Sequence, residues 1–249
     1  MNLKMMVLAL GLMAGAAGVQ ASDKAAPHWE YAGKAGTSHW SELDDSFSAC
    51  KLGKAQSPID IRGAKAAQLA PIEFHYAGSP AEIVNNGHTV QVNLAEGGSI
   101  KLASGDYKLL QFHFHTPSEE KINGRNYPLV AHFVHKNAAG ELAVVAVLFR
   151  QGKENAALQQ VFAALPGKVG DKHVLEGSFN AEAVLPAQRG YYAYMGSLTT
   201  PPCSEGVHWQ VLVKESEISR QQLAAFRKLY PMNARPVQPL NGRSLEVSR

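Results

Sequence analysis

The sequence is most constrained by a run in which histidine and phenylalanine alternate, Gln-Phe-His-Phe-His at 111–115. Successive side chains of an extended strand point to opposite faces, so His113 and His115 share one face and the phenylalanines share the other. His132, in a second strand-like segment, can add the third imidazole of an open zinc site. The same spacing also fits buried histidines that are hydrogen-bonded without metal. The run therefore predicts a β-sheet and indicates a metal site on one of its faces.

The first 21 residues are typical of a secretory leader. Lys4 precedes a continuous apolar run at 5–19, and Val-Gln-Ala at 19–21 fits the small-x-Ala cleavage pattern. No other segment is typical of a membrane span, and 241–249 is polar, which argues against a lipid-anchor tail. We expect export, to the periplasm of a Gram-negative bacterium or otherwise by secretion, with no membrane partner.

The remaining chain, 22–249, is expected to form a single domain, because no linker-like or repeated segment interrupts it. The formal net charge is only +3 and the basic residues are scattered, so a nucleic-acid partner is not expected. Cys50 and Cys203 are the only cysteines. In an exported chain such an even pair predicts a disulfide.

The hydrophobic pattern predicts a mainly β (α+β) fold, with a large, mostly antiparallel sheet and short peripheral helices. β-branched and aromatic runs predict strands at 72–76, 88–94, 107–115, 129–136, 142–149 and 207–214. Helices are expected at 154–165, before Pro166, and at 220–230, where Ser219 and Gln222 are spaced as a capping box.

Several motifs, in this order along the chain, resemble the alpha-class carbonic anhydrases of the bacterial exported type. They are Trp-x-Tyr at 29–31, Gln-Ser-Pro-Ile-Asp-Ile at 56–61, Asn-Asn-Gly-His at 85–88, Gln-Phe-His-Phe-His-Thr-Pro-Ser-Glu at 111–119, Ala-His-Phe-Val-His at 131–135, Gly-Ser-Leu-Thr-Thr-Pro-Pro-Cys at 196–203 and Asn-x-Arg-Pro-x-Gln-Pro-Leu at 233–240. The resemblance covers essentially all of the chain after the leader. It implies the alpha-carbonic anhydrase fold, a central twisted sheet of about ten strands, which is large for an open sheet.

The resemblance also implies the reaction, which is attack of zinc-bound hydroxide on carbon dioxide to give bicarbonate and a proton. His113, His115 and His132 match the three ligands of one Zn²⁺. Three neutral imidazoles leave the ion its full charge, which lowers the pKa of bound water to about 7. Aromatic sulfonamides and small anions are expected to inhibit by binding this metal.

Three further residues match catalytic positions of the family. Thr199 and Glu119 match the pair that orients the nucleophile, because an ionised carboxylate can only accept and so fixes the direction of the hydrogen bonds. His88 matches the proton shuttle, for which an imidazole that titrates near pH 6.5 is suited.

Apolar and supporting residues complete the implied site. The substrate wall would be formed by Val134, Val144, Leu198, Thr199, Thr200, Val207 and Trp209. Gln111 is expected to accept a hydrogen bond from His113, and the backbone near Asn233 one from His115. The remaining histidines are expected to be structural; they are His28, His39, His75, His135, His173 and His208.

One position departs from the family. Two residues before the third ligand the family usually carries a glutamate that accepts the other ring N–H of that histidine, whereas this chain has Val130. We expect either that Glu120 serves His132 from the adjacent strand, or that His132 has only water or no partner there.

Two other functions fit parts of the pattern. His113-x-His115 followed by Glu119 also fits the metal motif of a cupin, although Gly105 and Gly124 do not fall at the expected flanking distances. A carbonic anhydrase-like protein that binds zinc without turnover would keep the fold, but here every expected catalytic residue is present. Both a monomer and a homodimer remain open.

Overall fold

The computed structural model describes residues 27–249, so the expected leader at 1–21 lies outside the described residues. The strands are β1 (Asp60–Ile61), β2 (Lys65–Ala67), β3 (Glu73–Tyr76), β4 (Gly78–Ser79), β5 (Ala81–Asn85), β6 (Val90–Leu94), β7 (Gly98–Leu102), β8 (Gly105–His115), β9 (Lys121–Ile122), β10 (Arg125–Asn126), β11 (Leu129–Lys136), β12 (Leu142–Gln151), β13 (Lys172–Val174), β14 (Phe179–Asn180), β15 (Tyr191–Ser197), β16 (Glu205–Leu212), β17 (Ser216–Ile218) and β18 (Glu246–Ser248). The α-helices are α1 (Trp40–Leu43), α2 (Ala49–Leu52), α3 (Gln159–Ala163) and α4 (Arg220–Leu229). Short 3₁₀ helices lie at Gly33–Ala35, Asp45–Phe47, Ala156–Leu158 and Ala181–Val184.

A 13-stranded sheet dominates the fold. Its main path runs β13-β5-β6-β8-β11-β12-β16-β15-β18-β2, while β17 pairs with β12 and the β3–β7 pair joins through β8. Most neighbours are antiparallel, and the exceptions are the β12–β16, β12–β17 and β18–β2 pairs. The expected mostly antiparallel sheet of about ten strands is thus confirmed.

The two faces of the central strands bury different side chains. On β11, Ala131 and Phe133 pack with Phe112 and Phe114 of β8 in a large aromatic and aliphatic core. Val130 on the same strand packs on the other face, in a second cluster around Trp209. The alternation that was visible in the sequence therefore separates a purely structural face from the face that carries the metal-site histidines.

The helices are peripheral and one is shorter than expected. In place of one helix over 154–165 there is a 3₁₀ turn and then α3, because the Asn155 side chain accepts a hydrogen bond from the Leu158 N–H and so caps the turn. α4 begins at the predicted capping box of Ser219 and Gln222. No helix within residues 27–249 has the length and apolar character needed to cross a membrane.

A disulfide joins distant parts of the chain near the site. Cys50 and Cys203 are bonded across 153 positions of sequence, with Cα atoms 5.0 Å apart, which confirms the expected bridge. Cys203 has a left-handed backbone with φ of 59°. Its N–H donates to the Thr200 carbonyl at 2.8 Å. The bridge thus anchors the turn that carries Thr199 and Thr200.

Candidate metal centre and active site

Three histidines from two paired strands meet on one face of the sheet. His113 and His132 lie opposite each other in the antiparallel β8–β11 ladder. His115 follows two residues later on β8, with its ring centroid 4.8 Å from that of His132. One ligand nitrogen from each residue can be chosen so that all three lie within 4.8 Å of one another.

The outer ring nitrogen of each histidine has its own acceptor. His113 Nδ1 lies 2.9 Å from Gln111 Oε1. His115 Nδ1 lies 2.7 Å from the Asn233 carbonyl oxygen. His132 uses the opposite nitrogen, since Nε2 lies 2.9 Å from Glu120 Oε1. These bonds leave Nε2 of His113 and His115 and Nδ1 of His132 as the inner set.

The inner nitrogens fit a bound cation. His115 Nε2 is buried and has no hydrogen-bond partner among the described residues, which is costly unless another group occupies that position. Burial lowers the pKa values of His113 and His115, and the neighbouring His132 adds to the effect. Neutral imidazoles on strands, with their outer nitrogens held, are the donor set that zinc takes in catalytic sites.

His132 differs electrostatically from the other two. Burial is the largest single effect and lowers its pKa, but the charge and hydrogen bond of the Glu120 carboxylate and the charge of Glu119 together outweigh burial, so the pKa is raised. The site therefore contains one imidazole tied to a buried carboxylate and two tied to neutral acceptors.

Glu119 links the histidines to the Thr199 turn. Its Oε1 accepts from the Arg235 backbone N–H at 2.8 Å. Oε2 lies 3.5 Å from His115 Nε2 and 3.8 Å from His132 Nδ1. Burial raises the Glu119 pKa to about 7, against the opposing effects of His132 and of the nearby Thr199 side chain. A hydroxyl that donates to a carboxylate keeps its own oxygen able to accept a hydrogen bond from a reactant.

His88 lies in the loop before β6, which pairs with β8, and not inside a strand as predicted. Its half-buried ring stacks on Trp29, with centroids 3.6 Å apart and planes 7° from parallel. Burial lowers its pKa, with a smaller contribution from His28. The Asn233 side chain donates to the His88 carbonyl at 3.1 Å, while the Asn233 carbonyl accepts from His115. A single residue therefore fixes the loop of His88 relative to His115 of the triad.

The expected apolar wall lies together beside the histidines. Five of its members belong to one cluster, namely Val134, Val144, Leu198, Val207 and Trp209. The Trp209 ring packs edge-on against His132 with centroids 4.9 Å apart. Thr200 adjoins Thr199 in the turn, and no described contact joins its side chain to the histidines. The wall thus adjoins the third histidine directly.

Three residues of the site had no assigned role in the sequence. Arg235 is buried; its guanidinium donates to the carbonyls of Ser57 and Cys50 and to Gln56. Trp29 covers His88, and Tyr31 places its ring edge-on to His115 at 6.5 Å. All three occur in motifs that were noted, so motif membership was the available signal.

The sheet presents a histidine triad that could hold a metal ion, as in the open site of a hydrolytic or hydrating enzyme, and similarity to known proteins identifies the family. Residues 35–249 match the model of the eukaryotic-type carbonic anhydrase family. A carbonic anhydrase of Pectobacterium carotovorum is 43% identical over 217 residues, which cover 87% of this chain and 89% of that protein. The chain belongs to the eukaryotic-type carbonic anhydrase family.

Solved structures agree with this assignment. The alpha-carbonic anhydrase of Thermovibrio ammonificans in complex with the inhibitor sulfanilamide has a TM-score of 0.87 and 45% identity, covering 90% of this chain and all of that one. Dioscorin complexed with ascorbate has a TM-score of 0.82 and 31% identity, covering 88% of this chain and 97% of that one. The fold, the family and the carbonic anhydrase activity predicted from the sequence are confirmed, and a cupin is excluded.

Proposed function

We propose that the protein catalyses the reversible hydration of carbon dioxide to bicarbonate and a proton, with one Zn²⁺ held by His113, His115 and His132. The observation that carries this proposal is the buried His115 Nε2, whose ring is fixed through Nδ1 and whose free nitrogen has no described partner. When bound, zinc would supply the Lewis acidity that lowers the pKa of a water molecule to about 7.

Thr199 and Glu119 orient the attacking oxygen. The carboxylate accepts from the Arg235 N–H, and we propose that it also accepts from Thr199, so that the Thr199 hydroxyl proton points toward Glu119. Its oxygen then accepts a hydrogen bond from the attacking water or hydroxide, which directs a lone pair of that oxygen at the substrate. The Arg235 N–H anchors Glu119, and as long as this carboxylate is ionised it can only accept, which sets the direction of the hydrogen bonds before substrate arrives.

Carbon dioxide binds against the apolar wall. It is linear, uncharged and a weak acceptor, so contact with Val134, Val144 and Trp209 suits it better than it suits water. The wall packs against His132, which holds the substrate carbon near the nucleophile.

His88 carries the released proton to solvent. Its half-buried position beside the solvent-facing loop and its lowered pKa keep the imidazole neutral at pH 7 and able to accept. The proton would reach it through water, because no described hydrogen bond joins its ring to the ligand histidines.

The experiment that tests the proposal is metal analysis combined with a carbon dioxide hydration assay on the purified protein. One zinc per chain and rapid proton release are expected. Zinc without turnover would instead support a carbonic anhydrase-like binding protein. Full activity in a protein stripped of metal would contradict the zinc assignment.

We also propose that aromatic sulfonamides bind the metal as anions. The similarity to the sulfanilamide complex supports this, as does the apolar wall, which offers a surface for the aromatic ring. Sulfanilamide should inhibit hydration and be released together with zinc on chelation. Uninhibited hydration at saturating sulfanilamide would argue against an open metal position.

We infer that the protein acts in the periplasm of a Gram-negative bacterium. The leader-like sequence at 1–21 and the disulfide between Cys50 and Cys203 support export to an oxidising compartment. Fractionation of cells that express the full chain should recover activity from the periplasm, with an N-terminus near Ser22. Recovery of the uncleaved chain from the cytoplasm would contradict the inference.

A further inference from the structure

We propose that Glu120 is the positioning residue of the third metal ligand, fixing His132 so that Nδ1 and not Nε2 binds the metal. The inference rests on the zinc site proposed above. It assigns to this chain a carboxylate from the segment after β8 for a task that the family resemblance places on β11 itself.

The geometry of the pair gives the direction of the hydrogen bond. Glu120 Oε1 lies 2.9 Å from His132 Nε2, and both side chains are almost fully buried, with 0% and 2% of their surface exposed. An ionised carboxylate only accepts, so Nε2 carries the proton. In a neutral imidazole the other nitrogen then has the free lone pair that a metal requires, which makes Nδ1 the ligand atom.

No other acceptor of this kind is available from the strand. Val130 lies two residues before His132 on the same face, and it pairs with His115 on one side and with Leu148 on the other. Its side chain is fully buried in the apolar cluster, so it fills the space without accepting a hydrogen bond. The carboxylate therefore has to come from a neighbouring segment.

Glu120 is held by a set of local hydrogen bonds. Ser118 Oγ donates to the Glu120 carbonyl at 2.7 Å and accepts from the Tyr127 N–H at 2.8 Å. The Ser118 N–H in turn donates to the Tyr127 carbonyl at 2.8 Å. This clamp ties the segment that bears Glu120 to the entry of β11, which is the strand of His132.

The hydrogen bond between Glu120 and His132 also makes the three proposed ligands unequal in the charge of their acceptors. Gln111 and the Asn233 carbonyl are neutral acceptors, whereas Glu120 is a carboxylate, and a charged acceptor makes its imidazole a stronger donor to the metal. Loss of Glu120 should consequently weaken metal retention more than loss of a neutral partner would.

The first test measures the rate at which zinc passes from the loaded protein to a chelator. Glu120→Gln should release zinc about 10 to 100-fold faster than wild type. Glu141→Gln removes the same charge from an exposed carboxylate and should release zinc at the wild-type rate. Val130→Glu alone should not slow release, because two carboxylates would crowd one imidazole. In the Glu120→Gln background, however, Val130→Glu should restore retention.

The second test needs no variant. Nitrogen-15 NMR of the zinc-loaded wild-type protein should show one ligand histidine protonated at Nε2 and two protonated at Nδ1. In Glu120→Gln the Nε2 proton of His132 should exchange faster with solvent.

The outcomes separate this inference from the zinc proposal. A wild-type protein that binds no zinc would overturn the proposed function itself. Other outcomes would overturn only the role of Glu120, in a wild-type protein that binds zinc and hydrates carbon dioxide. They are an unchanged rate of zinc release in Glu120→Gln, slower zinc release in Val130→Glu, and a His132 protonated at Nδ1.

Discussion

Strand β11 carries two buried histidines three residues apart, His132 and His135, and their hydrogen-bonding differs. His135 lies on the aromatic face, with Nε2 2.7 Å from the Tyr76 hydroxyl and Nδ1 3.2 Å from the Ala143 carbonyl. His132 lies on the other face, with only its outer nitrogen hydrogen-bonded, to Glu120. Its inner nitrogen lies 3.8 Å from Glu119 Oε2, which is beyond hydrogen-bond distance.

The difference shows that burial alone does not identify a metal ligand. The two residues are 0% and 1% exposed, so exposure does not separate them. What separates them is the number of ring nitrogens that the protein satisfies: both for His135, and one for His132. A neutral imidazole with both nitrogens occupied has no lone pair left for a metal.

The largest effect on zinc content and turnover should come from replacing His132, the histidine with only one hydrogen-bonded ring nitrogen. His132→Ala leaves two ligands, too few for a stable catalytic zinc site, so the variant should lose zinc and several orders of magnitude in turnover. Metal content and hydration rate would be measured together. His135→Gln is the matched control on the same strand; it keeps a side chain able to donate and accept, and should retain one zinc and near wild-type turnover. If His132→Ala kept its zinc, or if His135→Gln lost it, the assignment of metal binding to His132 and not to His135 would be wrong.

His88 extends the comparison to a half-buried histidine. His88→Ala removes the proton relay and leaves the ligands intact, so hydration in weak buffer should fall on the order of 100-fold while zinc content stays the same. A small imidazole buffer should restore part of the rate, since it can carry the proton in place of the side chain. Unchanged turnover in weak buffer would show that His88 is only a loop residue.

Much of the fold could be predicted from local patterns in the sequence. The predicted bounds of β11 match the structure, because Pro128 and the turn after Lys136 delimit a segment rich in β-branched and aromatic residues. The helix at 154–165 was wrong in extent, since the capping by Asn155 competes with the longer apolar pattern. The shared face of His113 and His115 could be predicted because side chains alternate between the two faces of a strand.

The supporting contacts were harder to predict, for physical reasons. The acceptor for His115 is a backbone carbonyl 118 residues away, and a carbonyl has no signature in the sequence, so only the family resemblance led to the expectation that it lies near Asn233. Arg235 was not assigned because its partners Cys50 and Gln56 lie 185 and 179 positions distant. Glu120 could be proposed only because Val130 left an expected position without an acceptor.

The pH dependence of stability tests whether His135 is buried in its neutral form. Burial lowers its pKa to about 3, whereas the unfolded chain titrates near 6.5. Between these values the unfolded state binds the extra proton, so the free energy of unfolding should fall as pH decreases, by about 1.4 kcal/mol per pH unit from this group.

Urea unfolding of wild type and His135→Leu between pH 7 and pH 5 would isolate that contribution. At pH 7 the variant should be about 1 to 3 kcal/mol less stable, because the Tyr76 hydroxyl loses its buried partner. The difference in the free energy of unfolding between the two proteins should become smaller as the pH falls, because only the wild type contains the titrating His135. A difference that stays constant would show that His135 does not remain neutral in the fold.

The smallest expected effect is on the pKa of His88, whose ring is covered by Trp29. Its pKa is lowered chiefly by burial, to which the stacked Trp29 contributes, while His28 lowers it further and Glu30 opposes the shift. Trp29→Ala exposes the ring to water and should raise the His88 pKa toward its ordinary value, because the charged form is no longer desolvated. NMR titration of His88 would measure this directly, and the pH midpoint of hydration in weak buffer should move up with it. Trp29→Phe keeps an apolar cover and should show a smaller rise. An unchanged or lower pKa in Trp29→Ala would mean that Trp29 only positions the ring, and that the neutral state of His88 is set by the loop and its charges.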